Sequence, residues 1–284
     1  MINQKRCVQY CNIELLKSGN CVLKSNETLQ EKLLILNENN NQTFLENIKD
    51  LISNPDVSGQ LNDIVNGGED ILLSNNNSLY QITSTGNQKN SSNLNISTIN
   101  LGECETSLKT HYNISLNKSL LILKVESFIP DYKIPIIQYE IFNPDTKVKL
   151  ELSYCEKAKV EVNIPVSIDE NSLYIYEPNS DYYNDRCLSF FSEKGTDIPL
   201  KSRREAFINQ KRLLCEADCI YLGYNNKTKT SKCQCDYKNE ISLFNIKINA
   251  DHLKKNFETL ANSNIDIIKC YYLLFKKENI ILFK

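Results

Sequence analysis

The sequence contains no tryptophan, one methionine, two histidines and only eight glycines in 284 residues. Each scarcity removes a class of function. A Ser–His–Asp or Cys–His centre would have to use His111 or His252, and neither stands in a nucleophile motif. There is no His-Glu-x-x-His helix and no glycine-rich phosphate loop, so metalloprotease and nucleotide chemistry lack their usual frames. The best apolar run, Leu120–Val125 and itself broken by Lys124, is far short of the roughly 18 residues a membrane helix needs. Met1–Cys7 is polar and no apolar core follows it, so no signal peptide is visible. Neither sign of charge dominates: 33 basic and 35 acidic residues, mixed along the chain, give a net −2. A nucleic-acid partner, which needs a basic stripe, is not expected.

What is present is a globular composition, 41% hydrophobic and 24% charged, with a marked excess of asparagine. The chain has 37, some in runs such as Asn39–Asn41 and Asn75–Asn77. With abundant Ile, Lys and Tyr, this is the mark of AT-rich codon usage, as in many protists. Cysteine is also over-represented. Eleven residues fall in clusters: Cys7, Cys11 and Cys21; Cys104, Cys155 and Cys187; Cys215, Cys219, Cys233, Cys235 and Cys270. In an oxidising compartment these form a disulfide framework, and in the cytosol they suggest zinc.

Acceptors for N-glycosylation favour the first reading. Asn-x-Ser/Thr occurs at Asn26, Asn41, Asn76, Asn90, Asn95, Asn113, Asn117 and Asn226, where chance in this composition gives roughly five. An exported chain with neither signal nor span is expected to be a portion of a longer protein. That parent would be membrane-anchored, with the portion itself soluble and the apolar stretch Ile280–Phe283 as one candidate start of the anchor.

The expected fold class is α+β, mainly antiparallel and sandwich-like, with short N-terminal and C-terminal helices and disulfide bonds. Residues 1–25 read as the end of a Cys-rich module and 26–68 as a helical segment. Residues 69–284 read as a β-rich domain with a Cys-rich segment at 177–237. In the helical segment, Leu29, Leu33, Leu34 and Leu36 fit one short helix. The Thr43–Glu46 capping-box pattern opens a second, with Phe44, Leu45, Ile48, Leu51 and Ile52 on one face. A third runs over 58–65 and stops at Gly67-Gly68.

Asp70–Leu73 and Leu79–Thr83 form a hairpin, and 119–128 is a buried strand. The pair 134–142 and 147–154 about Asn143–Thr146 reads as a second hairpin. Its later arm alternates Val148, Leu150 and Leu152 with polar residues. Lys159–Ile164 alternates likewise, and a helix over 102–112 interrupts the strands. Ser202–Glu205 is another capping box, opening a helix over 202–214. Cys219–Cys235 is a loop-rich hairpin. A last strand at 241–248 precedes helices near 251–260 and 265–276.

The candidate sites carry bland readings beside sharp ones. Four thiolates of Cys215, Cys219, Cys233 and Cys235 could hold zinc, although their spacing departs from the Cys-x2-Cys knuckle. Asp169, Glu170, Glu177, Asn179, Asp181 and Asp185 could bind calcium or simply cap turns. Tyr174, Tyr176, Tyr182, Tyr183, Tyr221 and Tyr224 suit either a binding surface or the packing of a Trp-free core. Expected bridges are Cys104–Cys155 and Cys219 with either Cys233 or Cys235. The remaining connectivity is open.

Ser97–Cys104, Tyr139–Pro144, Pro178–Cys187 and Leu214–Cys219 together resemble the membrane-proximal region of large Cys-rich modular surface proteins of protists. Those carry growth-factor-like or furin-like repeats upstream and a membrane span downstream. The resemblance implies a place at the extracellular face of the plasma membrane, or secretion, and no activity. The order of helices, strands and Cys219…Cys233-x-Cys235 is also similar to the autoproteolysis-inducing domain of adhesion receptors and polycystins. Here, however, Asp236-Tyr237 stands where that family has His-Leu-Ser/Thr, so self-cleavage is not implied.

The sequence thus points to a non-enzymatic ectodomain, structural or adhesive, with an unknown protein or glycan ligand and no cofactor or metal. The alternatives are an intracellular zinc-stabilised interaction module and a secreted hydrolase with paired carboxylates.

Overall fold

The computed structural model describes residues 41–75, 77–91, 95–156, 158–185, 187–192, 194–209, 212–216, 218–238 and Cys270. Cys7, Cys11, Cys21, Asn26, Asn76, His252, the helix expected near Leu29–Leu36, the strand at 241–248 and the helices at 251–260 and 265–276 lie outside the described residues. Among the described residues, eight strands form two antiparallel sheets of four, with several short helices. The architecture is the α+β class expected.

The first sheet has the order β1 (Ile71–Asn75), β2 (Ser78–Ser84), β4 (Leu121–Ser127), β5 (Ile136–Phe142). The second has β3 (Thr98–Asn100), β6 (Val160–Pro165), β8 (Thr230–Cys235), β7 (Ile220–Asn225). Strand β4 is buried along its whole length, because both faces of its sheet are covered.

Helices cover one face. In α1 (Asn41–Ile52) the residues Phe44, Leu45, Ile48 and Ile52 recur at helical spacing and are buried. They join Val57, Leu61, Ile64 and Val65 from the turn after α1 and from α2 (Ser58–Val65) in one cluster with Tyr80, Ile82, Leu121, Leu123 and Val125 of the sheet. Full burial of each such side chain contributes about 1.5–3 kcal/mol. The Asn54 side chain accepts the Asp56 amide and Pro55 fixes the turn between the helices. Gly67, at φ 97°, ends α2 with its amide bonded to the Ile64 carbonyl.

The second sheet packs on the opposite face. Val160, Val162 and Ile164 alternate inward on β6, and Cys233 and Cys235 do so on β8. They share a core with Ile122, Ile137, Tyr139 and Ile141 of the first sheet. Helix α4 (Glu103–His111) and the short α3 (Thr85–Lys89) border this core. A satellite cluster of Tyr182, Tyr183, Phe207 and Leu213 joins α5 (Asp181–Asn184) to α6 (Leu200–Asn209).

Three expected elements differ. Residues 147–154 do not form a second hairpin arm. Lys147 is left-handed at φ 59°, and pairing is confined to the turn bond Lys147 N to Asn143 O at 3.0 Å and to Asn143 N with Val148 O and Leu150 N with Ile141 O, both 2.8 Å, about a single bridge Phe142–Lys149. Val148 is 62% exposed while Leu150 and Leu152 are buried, and the chain turns into a 3-10 segment, Leu152–Cys155. The bond from Cys155 to Cys104 draws that segment toward α4.

Thr43 lies inside α1, whose described start is Asn41. Ser202 likewise lies inside α6, which begins at Leu200 directly after Pro199, a residue whose fixed φ suits helix entry. α6 also ends at Asn209 instead of running to Leu214. The chain beyond must reach the second sheet, where Cys215 is bonded to Cys233.

Candidate functional site

Four disulfides join eight of the candidate cysteines: Cys104–Cys155, Cys187–Cys270, Cys215–Cys233 and Cys219–Cys235. The first ties α4 to the 3-10 segment, and both its cysteines are buried. The last two interlace, because 219 lies between 215 and 233 while 235 lies beyond them. Both hold the start of β7 and its approach to inward positions of β8. The four sulfurs proposed for zinc are therefore consumed in covalent pairs, which leaves no thiolate set for a tetrahedral site. Among the described residues no group of three or more His, Cys, Asp or Glu is placed to hold a metal.

The carboxylates of 169–185 are dispersed. Asp169 accepts the Asn171 amide at 3.0 Å and Asp185 the Cys187 amide at 2.7 Å. Glu177 accepts the Tyr221 hydroxyl at 3.2 Å. They cap turns and tie the segment to β7. The tyrosines divide: Tyr182 and Tyr183 are core, Tyr176, Tyr221 and Tyr224 are half-buried, and Tyr174 is exposed. Burial pushes the Tyr183 hydroxyl up to about 12 despite the nearby Arg212, while it donates to the Ile175 carbonyl. Tyr174 and Tyr182 meet Phe190, with the Arg203 guanidinium over Tyr182 and Phe190. Leu188 and Phe191 stand exposed beside this group in sequence.

Sequence reasoning missed a polar belt inside the sandwich. Lys124, fully buried on β4, pairs with Glu126 at 3.0 Å and donates to the Ser97 carbonyl. Glu126 also accepts the Ser97 amide and hydroxyl. Burial lowers the Lys124 pKa, and the charges of Glu126 and Asp70 oppose that shift. Nearby, Glu105 of α4 receives bonds from Thr85 (2.8 Å), Lys109 (2.7 Å) and Lys89 (2.7 Å).

Burial alone would raise the Glu105 carboxyl pKa, but those donors outweigh it and the net shift is downward. On the helix-covered face Glu140, also buried, binds Lys49 of α1 and Lys149. The carboxylates and Lys124 and Lys109 are buried and each is paired, while Lys49, Lys89 and Lys149 reach in from the surface, so their chemistry is to fix elements together. The only sequence signal was two charges set in an apolar run.

A small cavity of about 10 Å³ lies where the sheets meet Glu216, Cys219 and Lys238, room for roughly one water. Glu216 and Lys238 bond each other and the backbone of Ile137, closing the edge of β5 there.

The sequons lie at the surface. Asn90, Asn95, Asn113, Asn117 and Asn226 are all exposed and all in turns. Asn41 begins α1. His111 ends α4, exposed, stacked on Tyr154. No family model, no curated protein and no solved structure matches this chain.

Proposed function

We propose that this chain is a non-enzymatic module of an extracellular or cell-surface glycoprotein, structural or ligand-binding, held by disulfides. The observation that carries this reading is the coincidence of two independent features. Four disulfides staple the fold, and all five acceptor asparagines whose side chains are described stand exposed in turns, where a transferase can reach them. A cytosolic chain has no need of either. The resemblance to protist surface proteins points the same way, and a partner would be a protein or a glycan.

Intact mass tests the reading. The chain is secreted from eukaryotic cells behind a supplied signal and weighed with and without glycan removal, and with and without reduction before thiol alkylation. Protected cysteines, including the eight paired here, together with occupied sequons support it. Free thiols with bound zinc and no glycan would overturn it in favour of an intracellular metal-stabilised module.

A further inference from the structure

At the end of α4 an acceptor asparagine sits beside a cluster of exposed rings. The His111 imidazole stacks on Tyr154 with centroids 3.5 Å apart, and Tyr112 meets His111 edge-on at 4.8 Å. Tyr154 is 46% exposed, although its neighbour Cys155 is buried and bonded to Cys104. The Tyr112 hydroxyl accepts the Glu151 amide at 3.0 Å, which fixes its ring against the same segment. Asn113 follows directly, exposed, at φ 54°, a conformation that asparagine tolerates better than most residues.

We propose that an N-glycan on Asn113 folds back onto this cluster, its first N-acetylglucosamine laying a C–H face against an outer face of the stacked His111–Tyr154 pair. This rests on the reading of the chain as an exported glycoprotein. Attachment joins Asn113 Nδ2 to the anomeric carbon of an oligosaccharide carried on a lipid diphosphate. That carbon's bond to the diphosphate oxygen breaks, and the lipid diphosphate and one amide proton are released.

The physical case is complementarity. A pyranose presents an apolar C–H face, an aromatic ring presents a negative face, and their contact removes apolar area of both from water. The rings are held in place before any sugar arrives, by the stacking and by the disulfide next to Tyr154, so little ordering entropy opposes docking. Only Tyr112 stands between His111 and Asn113 in the chain, which puts the first sugar within reach of the stacked pair.

The test uses the secreted, glycosylated chain. Because Gln is strained at a positive φ, the sequon is removed with Ser115→Ala, which keeps Asn113; Ser115 is exposed. Loss of this glycan is expected to lower Tm by about 2 °C, the scale of one aromatic contact in a domain of this size. In the Tyr154→Leu background the loss is expected to have no effect, and Asn117→Gln serves as the neighbouring-site control.

Nuclear Overhauser contacts between the ring protons of the first N-acetylglucosamine on Asn113 and the rings of His111 or Tyr154 give a second readout that needs no variant. Equal Ser115→Ala effects in both backgrounds, or absent ring contacts with Asn113 occupied, would overturn the docking and leave export intact. Occupancy of other sequons with Asn113 bare also overturns it. A chain with no sequon occupied overturns both proposals together.

Discussion

The interlaced disulfides make a quantitative prediction. Alone in an otherwise open chain, loops of 18 and 16 residues would each restrict the unfolded state by about 3 kcal/mol. Here each bond is closed in the presence of the other. Four positions separate Cys215 from Cys219 and two separate Cys233 from Cys235. With Cys219–Cys235 intact, Cys215 and Cys233 are therefore already joined through a path of about six residues, and closing that path adds only about 2 kcal/mol.

Removing either bond by paired Cys→Ala substitution is thus expected to cost about 2 kcal/mol, and removing both about 5 kcal/mol, more than the two single losses combined. The lost sulfur packing is the same in single and combined variants, so the coupling isolates the cross-link term. Cys104–Cys155 closes 51 residues that overlap neither loop, and its removal should add independently at about 4 kcal/mol. Urea unfolding followed by far-ultraviolet circular dichroism measures all of these. Strict additivity within the 215–235 pair, or single losses of about 3 kcal/mol each, would show that these bonds do not interlace.

Two further outcomes concern the buried ions. Lys124→Met leaves Glu126 buried without its cation and should destabilise the chain by about 3–5 kcal/mol, while Lys124→Met with Glu126→Gln should recover most of that loss in the same urea assay. A single-variant cost under about 1 kcal/mol would show the pair to be dispensable. For Glu105 the folded pKa lies below the ordinary 4.5 because the bonds from Lys109, Lys89 and Thr85 outweigh burial. Its stabilisation is therefore complete above that value and is lost as pH falls through the folded pKa. The stability gap between wild type and Glu105→Gln should be widest near neutrality and shrink as pH falls below the ordinary 4.5; a gap independent of pH would contradict this.

Local pattern made much of the fold legible. The first hairpin, β4, α2, α4, β6 and the β7–β8 hairpin follow from periodicity, turn residues and glycine stops. The bridge Cys104–Cys155, expected as a link from the helix to the end of the second hairpin, forms even though that hairpin arm does not. What failed depended on distant contacts. Val148, Leu150 and Leu152 alternate like a strand, yet a left-handed Lys147 and the pull of Cys155 toward α4 outweigh that local preference.

The two capping-box patterns lie two residues past the described starts of their helices, Asn41 and Leu200, because composition cannot choose between neighbouring starts. The ring cluster of His111, Tyr112 and Tyr154 brings together residues more than forty positions apart. No single stretch of sequence announces it.

Strand β4 reads Leu-Ile-Leu-Lys-Val-Glu-Ser, and its two charges solve a problem of alignment. A run of buried aliphatic residues could slide by one position against β2 and β5 and still bury apolar surface. With Lys124 and Glu126 in place, such a slide would turn both ions toward the α1 stripe of Phe44 and Ile48 and away from Ser97. It would also send Leu123 and Val125 into polar company. Each ion so stranded costs several kcal/mol, far more than the sliding strand could recover. The pair acts as a key cut to one lock position, so the central strand of the first sheet can settle in a single register before any disulfide closes.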